Sequence, residues 1–495
     1  MTRLGAWKKS SAVFLLCAAT AIAAPVQVFT NLATFHYTQG DQPLAPLIQG
    51  ADGNLYGTTY QGGDGGCEIR DGCGTLFRIT PLGVLKASPF LSAANPTTGL
   101  VLATDGNFYG TTSDAGENFG GSVLKVTPGG GLTTLYTFCG QLPCADGEFP
   151  SALIQAVDGN FYGTTGGGGA GQAGTVFKLT PEGVLTTLYS FCAQPNCIDG
   201  VGPAAALLQA ADGDFYGTTE YGGRGTGGRN PGYGTVFRIT PAGTLTTLVA
   251  FDGMNGAQPT GSLIQGSDGS LYGTTHIGGN TCDPYISGAG TVFKLSSDAK
   301  LKTLHSFDCS DGAGPAAGLI QATDGNFYGT TEAGGQSKNA PFGGGTVFKI
   351  TADGVLTVLH TFCTEPNCTD GVDPVAGLVQ GTDGIFYGSS LGGDITCDPY
   401  RLAGWCGTIF SLDVGLGPFV TYVHAAGEVG QTGGILGQGF TGTTSVLLNG
   451  IAASFTVVSD TFIKATVPVG ATTGFVTVVT PSGTLTSNVP FHVIP

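Results

Sequence analysis

The sequence predicts an all-β protein: a seven-bladed β-propeller followed by an immunoglobulin-like β-sandwich. Three observations predict it. One pattern recurs seven times, each copy splits into four short β-type segments joined by turn residues, and the last 80 or so residues abandon that pattern for a different strand-rich one.

The repeat runs from Leu-Ile-Gln through Asp-Gly-x-(Phe/Leu)-Tyr-Gly-Thr-Thr to Gly-Thr-Val-Phe. Its Asp-Gly pairs begin at Asp52, Asp105, Asp158, Asp212, Asp268, Asp324 and Asp383, 53 to 59 residues apart. In the third unit the four segments are a (152–157), b (160–165), c (175–180) and d (184–191), rich in Val, Leu, Phe, Tyr and Thr. The a–b link is Asp-Gly, which suggests a type I′ hairpin with both central residues at positive φ. The c–d link in four units is Thr-Pro-x-Gly, as at Thr180–Gly183, where proline presets the first turn angle. A parallel β-helix would need coils of about 20 residues and fits poorly. The seventh unit ends near Asp413 without a d segment, while a d-like stretch, Val28–Phe35, precedes the first unit. We expect it to pair with residues 407–412 and close the ring, which removes an open sheet edge.

The seven units resemble the Gloeo/Verruco repeat of the choice-of-anchor tandem-repeat family, similar in appearance to kelch and galactose-oxidase-type propellers. The carrying residues are LIQAVDGNFYGTT (153–165) and GTVFKLTPEGVLTTLYSF (174–191), and the resemblance spans about 26–413. Residues 417–495 resemble an IPT/TIG immunoglobulin-like domain through GGILGQGF (433–440), 446–468 and 474–493. Boundaries of 1–23 (signal peptide), 24–415 (propeller) and 416–495 (sandwich) follow. Such domains act as spacers or binding modules, and neither resemblance implies catalytic residues. No LPxTG motif and no apolar terminal helix with a basic tail is seen, a departure from the family pattern that leaves the mode of surface anchoring open.

The N-terminus reads as a secretory signal, with basic Arg3, Lys8 and Lys9, an apolar run from Ala12, and cleavage after Ala23. A lipoprotein signal at Cys17 is the rival; Leu16 stands where a small residue is wanted. The chain carries 18 Lys+Arg against 34 Asp+Glu, a net charge of −16, and cleavage makes it more acidic. Such a chain is repelled by nucleic acid and anionic lipid. Charged residues are 11 % and hydrophobic ones 41 %, too apolar for disorder.

Without Cys17 the cysteines number twelve. Close pairs are Cys67/Cys73, Cys139/Cys144, Cys192/Cys197, Cys363/Cys368 and Cys397/Cys406, with Cys282/Cys309 paired by exclusion. An even count behind a signal argues for disulfides in an oxidising compartment; no CxxC spacing supports a metal site, and no metal or other cofactor is expected. All twelve fall in b–c or d–a loops, at one end of the blades. That face is long, variable and stapled, whereas the Asp-Gly face is short and uniform, so ligand contacts are placed on the former. Candidate contacts are Trp405, Tyr400 and Arg401 in one loop, Arg224 and Arg229 in another, and His276, each of which could equally be packed or solvated. The acidic residues Glu68, Asp71, Glu117, Glu220 and Glu332 also lie on variable loops.

The Asp-Gly pairs could be calcium ligands, but turn chemistry explains them better; even Asp212-Gly213-Asp214 offers only two carboxylates. The repeated tyrosines are expected to pack between blades. No HExxH, Gly-x-Ser-x-Gly or phosphate-loop motif occurs. The expected function is a secreted or cell-surface, extracellular or periplasmic, non-enzymatic binding or structural protein whose partner is an extracellular polysaccharide or a surface protein. The alternative is an extracellular carbohydrate-active hydrolase or lyase with a carboxylate pair on the loop face.

Overall fold

A computed structural model describes residues 27–63, 72–90, 95–113, 115–116, 118–223, 232–281, 288–340, 343–393 and 406–494. The signal segment, with Cys17 and the Ala23 cleavage position, lies outside the described residues. No helix among the described residues is long and apolar enough to cross a membrane.

The repeats form seven sheets, each an antiparallel meander a-b-c-d. In the third, strand a is Ile154–Gln155, b is Phe161–Gly167, c is Thr175–Leu179 and d is Leu185–Ser190. Strand a is shorter than its sequence suggested, two residues in every blade, because the turn begins at Ala156, whose N–H bonds the Asn160 carbonyl; in this blade Pro150 also pairs with Thr165 at the end of strand b. Strands b and c pair from Phe161↔Leu179 to Thr165↔Thr175, and a bulge follows between c and d. The N-terminal strand Val28–Thr34 pairs antiparallel with Thr408–Asp413, completing the seventh blade as expected. Phe29 also stacks on His360 of the sixth blade, with ring centroids 3.6 Å apart.

The Asp-Gly turn is not type I′. Gly159 alone is left-handed (φ 80°), and its N–H reaches the Ala156 carbonyl at 2.9 Å. This is a type I turn followed by a glycine bulge. The aspartate stays out of the left-handed region because its carboxylate caps the turn, accepting the Asn160 N–H at 3.0 Å.

The same carboxylate also accepts the hydroxyl of the repeat tyrosine. All seven bonds form, at 2.7–2.9 Å. In three blades a strand-c lysine joins them: Lys125, Lys178 and Lys294. Each tyrosine ring then packs on the next blade, as Tyr109 on Phe161 (4.2 Å) and Tyr328 on Phe386 (4.3 Å). Asp212 and Asp214 are likewise committed, to Tyr216 and to Arg238.

The rest of the motif is equally mechanical. The glycine of Tyr-Gly-Thr-Thr lies under the strand-c phenylalanine; a Cβ on Gly163 would stand 2.7 Å from Phe177 Cζ. The second threonine bonds the first hydroxyl of strand c, as Thr165 to Thr175 at 2.9 Å, and in the seventh blade Ser390 takes its place against Thr408. The strand-a glutamine reaches into the preceding blade, Gln209 Oε1 accepting the Val157 N–H at 3.0 Å. Six such bonds link consecutive blades, including Gln49 to Thr382, which joins the first blade to the seventh and closes the circle. At the junction of blades 1 and 2 the glutamine is replaced by Leu102.

The C-terminal region makes two four-stranded sheets. One holds Thr421–Tyr422, Thr432–Leu436, Phe462–Thr466 and Phe455–Ser459; the other holds Ile451–Ala452, Ser445–Leu448, Val476–Thr480 and Gly483–Thr486. Val420, Phe440, Ile463 and Val478 fill the space between them, fully buried. This module docks on the Asp-Gly face. Thr461 donates to the Ala51 carbonyl in blade 1 (2.7 Å), His424 bonds Gln155 in blade 3 (3.2 Å), and Phe419 N–H meets Thr382 in blade 7 (3.1 Å). Leu436, Val423 and Phe462 pack with Leu100 and Leu102 where the glutamine is missing. Contacts on opposite sides of the ring place the module across the axis on this face.

Candidate functional site

The opposite end of the axis is the mouth of the loop face. Two positions per blade surround it. The first follows strand b: Tyr60, Ser113, Gly166, Glu220, His276, Glu332 and Leu391. The second precedes the proline ahead of strand a: Gln42, Asn95, Phe149, Gly202, Gln258, Gly314 and Asp373. All seven residues of the second set have positive φ, between 53° and 65°. Backbone bonds tie the two positions together, as His276 N–H to Gln258 (2.9 Å) and Leu391 N–H to Asp373 (2.9 Å). The backbone is therefore uniform around the mouth while the side chains differ from blade to blade.

Blades 4 to 7 bring together Glu220, His276, Glu332 and Asp373. His276 Nε2 bonds Glu332 Oε1 across a blade boundary at 2.8 Å, and this bond holds the imidazole above its ordinary pKa. Gly314 makes room for the carboxylate, since a Cβ there would lie 2.9 Å from Glu332 Oε1. Burial pushes the Asp373 carboxyl up to about 6, and the charge of Glu332 adds to it. The arrangement joins a carboxylate, an imidazole that readily keeps its proton, and a second carboxyl that ionises near neutrality. It can accept hydrogen bonds from a ligand or exchange protons with one.

Of the sequence candidates, His276 and the loop acids Glu220 and Glu332 are found in this cluster. Trp405, Tyr400, Arg401, Arg224 and Arg229 lie outside the described residues, as do Glu68, Asp71 and Glu117. Asp373 was missed. It is visible only when the seven units are aligned on the proline that follows it, a position where the other blades carry glutamine, asparagine, glycine or phenylalanine. Two other histidines near loops serve the scaffold: His305 bonds Asp311 (2.7 Å), and burial lowers His360 to about 4 against the opposing pull of Asp370.

Three disulfides close five-residue steps in d–a loops: Cys139–Cys144, Cys192–Cys197 and Cys363–Cys368. Cys73, Cys309 and Cys406 are also disulfide-bonded. Their expected partners, Cys67, Cys282 and Cys397, lie outside the described residues. Tyr136 and Tyr189 brace two of these loops through Asp146 and Asp199, each at 2.8 Å.

Several solved structures share the fold. A streptogramin B lyase is 16 % identical, with a TM-score of 0.50, covering 78 % of this chain and 97 % of its own. A catalytically inactive virginiamycin B lyase from Staphylococcus aureus with quinupristin is 14 % identical, TM-score 0.50, covering 78 % and 99 %. A fungal alcohol oxidase of the AA5 family in complex with copper is 13 % identical, TM-score 0.50, covering 95 % and 100 %. At these identities the likeness speaks for the fold alone. No curated protein matches the chain. The Gloeobacter/Verrucomicrobia repeat matches at residues 18–147, 95–340 and 285–454, most of the sequence. The chain belongs to the Gloeobacter/Verrucomicrobia repeat family.

Proposed function

We propose that the protein is a secreted or cell-surface, non-enzymatic binding protein that takes its ligand at the loop-face mouth, with an extracellular polysaccharide or a surface protein as partner. One observation carries this reading. Glu220, His276, Glu332 and Asp373 occupy the positions where the blades stop resembling one another, although the backbone there is uniform. No repeat motif requires these side chains. Binding sites commonly sit on variable positions of a rigid scaffold. The disulfides support an oxidising compartment. We read the C-terminal sandwich as an IPT/TIG-type module that supports the ring from the other side. The test is a glycan array and a surface-protein pull-down with wild type, His276→Ala and Glu332→Gln. Binding lost in both variants is expected; binding unchanged in both overturns the mouth as the site.

A second reading, an extracellular carbohydrate-active hydrolase or lyase, is favoured by the pairing of Asp373 with Glu332 beside His276. A carboxyl near 6 and an imidazole raised by its partner suit general acid–base work close to neutral pH. Turnover of a polysaccharide panel that disappears in Asp373→Asn while binding persists would establish it. No turnover with any tested polymer would remove it.

A further inference from the structure

We propose that the gap between blades 3 and 4 on the loop face is a subsite for one pyranose ring bearing hydroxyl or amino groups but no carboxylate, stacked on Phe149. The inference rests on the binding reading above and specifies its ligand class.

The gap has a sequence cause. Gly166 lies at the first ring position and Gly202 at the second. They are neighbours: a Cβ on Gly202 would lie 3.8 Å from the Gly166 carbonyl. With no side chain from either, a depression of about 460 Å³ opens, lined by Thr98, Ser113, Phe149, Ser151, Glu220 and Tyr221 among others. That is within the range of small-molecule sites, about 300–1,000 Å³.

The walls specify a chemistry. Phe149 is 47 % exposed, whereas Phe161 and Phe177 of the same blade are buried. Its backbone is left-handed (φ 57°), held by Glu148↔Gly167 and Pro150↔Thr165 pairing and by its N–H to the Gly120 carbonyl (2.9 Å). Phe149 is the one aromatic in its set of seven. An exposed aromatic on a fixed backbone offers its electron-rich face at little entropic cost, which suits the C–H bonds of a sugar ring. The polar rim is rich in acceptors. Ser113 already gives its proton to Asn95 (3.2 Å) and Ser151 to Pro203 (3.2 Å), so their oxygens remain to accept. Glu220 is an acceptor when ionised, and it holds the neighbouring Tyr221 phenol above its ordinary pKa. A ligand here must bring donors: hydroxyls or an ammonium group do, a carboxylate does not. Glu332 and Asp373 around the rim add to its negative field and repel acidic sugars.

The test is calorimetry on the full chain with cellohexaose, the hexamer of glucosamine, and hexagalacturonate. Neutral or amino hexamer should bind, with hexagalacturonate at least tenfold weaker. Phe149→Ala should weaken binding at least tenfold and Phe149→Trp should retain it. Gly166→Leu, at an ordinary φ and with its Cβ 3.6 Å from the nearest backbone atom, fills the gap without a backbone clash and should also abolish binding. The proposal is overturned if Phe149→Ala and Gly166→Leu, both melting like wild type, bind as wild type does, if hexagalacturonate binds as tightly as the others, or if none of the hexamers binds. A ligand lost in His276→Ala or Glu332→Gln but untouched in Phe149→Ala would sink the subsite and leave the mouth standing. A ligand indifferent to all four variants would sink both.

Discussion

At the scale of single residues, the repeat is a set of steric and hydrogen-bonding partners. Gly163 exists because Phe177 fills the space a Cβ would need. Gly163→Ala is therefore expected to cost about 1–3 kcal/mol through overpacking, measured by denaturant unfolding. Phe177→Leu in the same chain should recover part of that loss, because blade 2 already combines Gly110 with Leu124 in place of phenylalanine. Asp373 makes a different prediction. Its folded pKa stands near 6, above the ordinary carboxylate value of 3.8, so its contribution is undiminished below about 4 and is lost as pH rises through 6. The raised His276 acts in the same sense, stabilising below its unfolded pKa and losing that contribution as pH climbs past its folded one. Asp373→Asn should gain on wild type in melting temperature as pH goes from 4 to 7; a constant difference would contradict the assignment. The composition of the mouth was only partly readable from the sequence. His276, Glu220 and Glu332 could be placed on the variable face by counting from Thr-Thr. Their meeting across blade boundaries depends on ring geometry, which no local pattern encodes, and Phe149 and Asp373 precede prolines that look like ordinary loop residues.

At the scale of elements, the sequence carried most of the architecture, since each strand is marked by its own turn residues. The closing strand was legible because Val28–Phe35 resembles strand d and the seventh unit lacks one. Its consequence can be measured. Phe35 is fully buried, and Phe35→Ala is expected to cost about 3–5 kcal/mol. Removing residues 24–36 should lower the melting transition sharply, by leaving Thr408–Asp413 as a bare edge; wild-type-like melting of that truncation would refute closure. The turn type was misjudged for a specific reason. Asp-Gly is compatible with type I′ and with a type I turn plus glycine bulge, and only the carboxylate's bonds to Asn160 and Tyr162 decide between them. The glutamine links between blades were also invisible, because the partner of each lies more than 50 residues away in the chain.

At the scale of the whole molecule, the C-terminal sandwich and the ring form one body. The sandwich supplies Thr461, Leu436 and Phe462 at the junction where Leu102 replaces the linking glutamine. A chain ending at residue 416 should keep its seven blades but expose Leu100 and Leu102. We expect it to bind more hydrophobic dye and to self-associate in light scattering, while its affinity at the loop face stays unchanged. With the sandwich lying over one end of the axis, a ligand reaches the ring from the loop face. Whatever enters must leave by the door it came in, so arrivals and departures obstruct one another. How long a guest stays is then decided on the loop face.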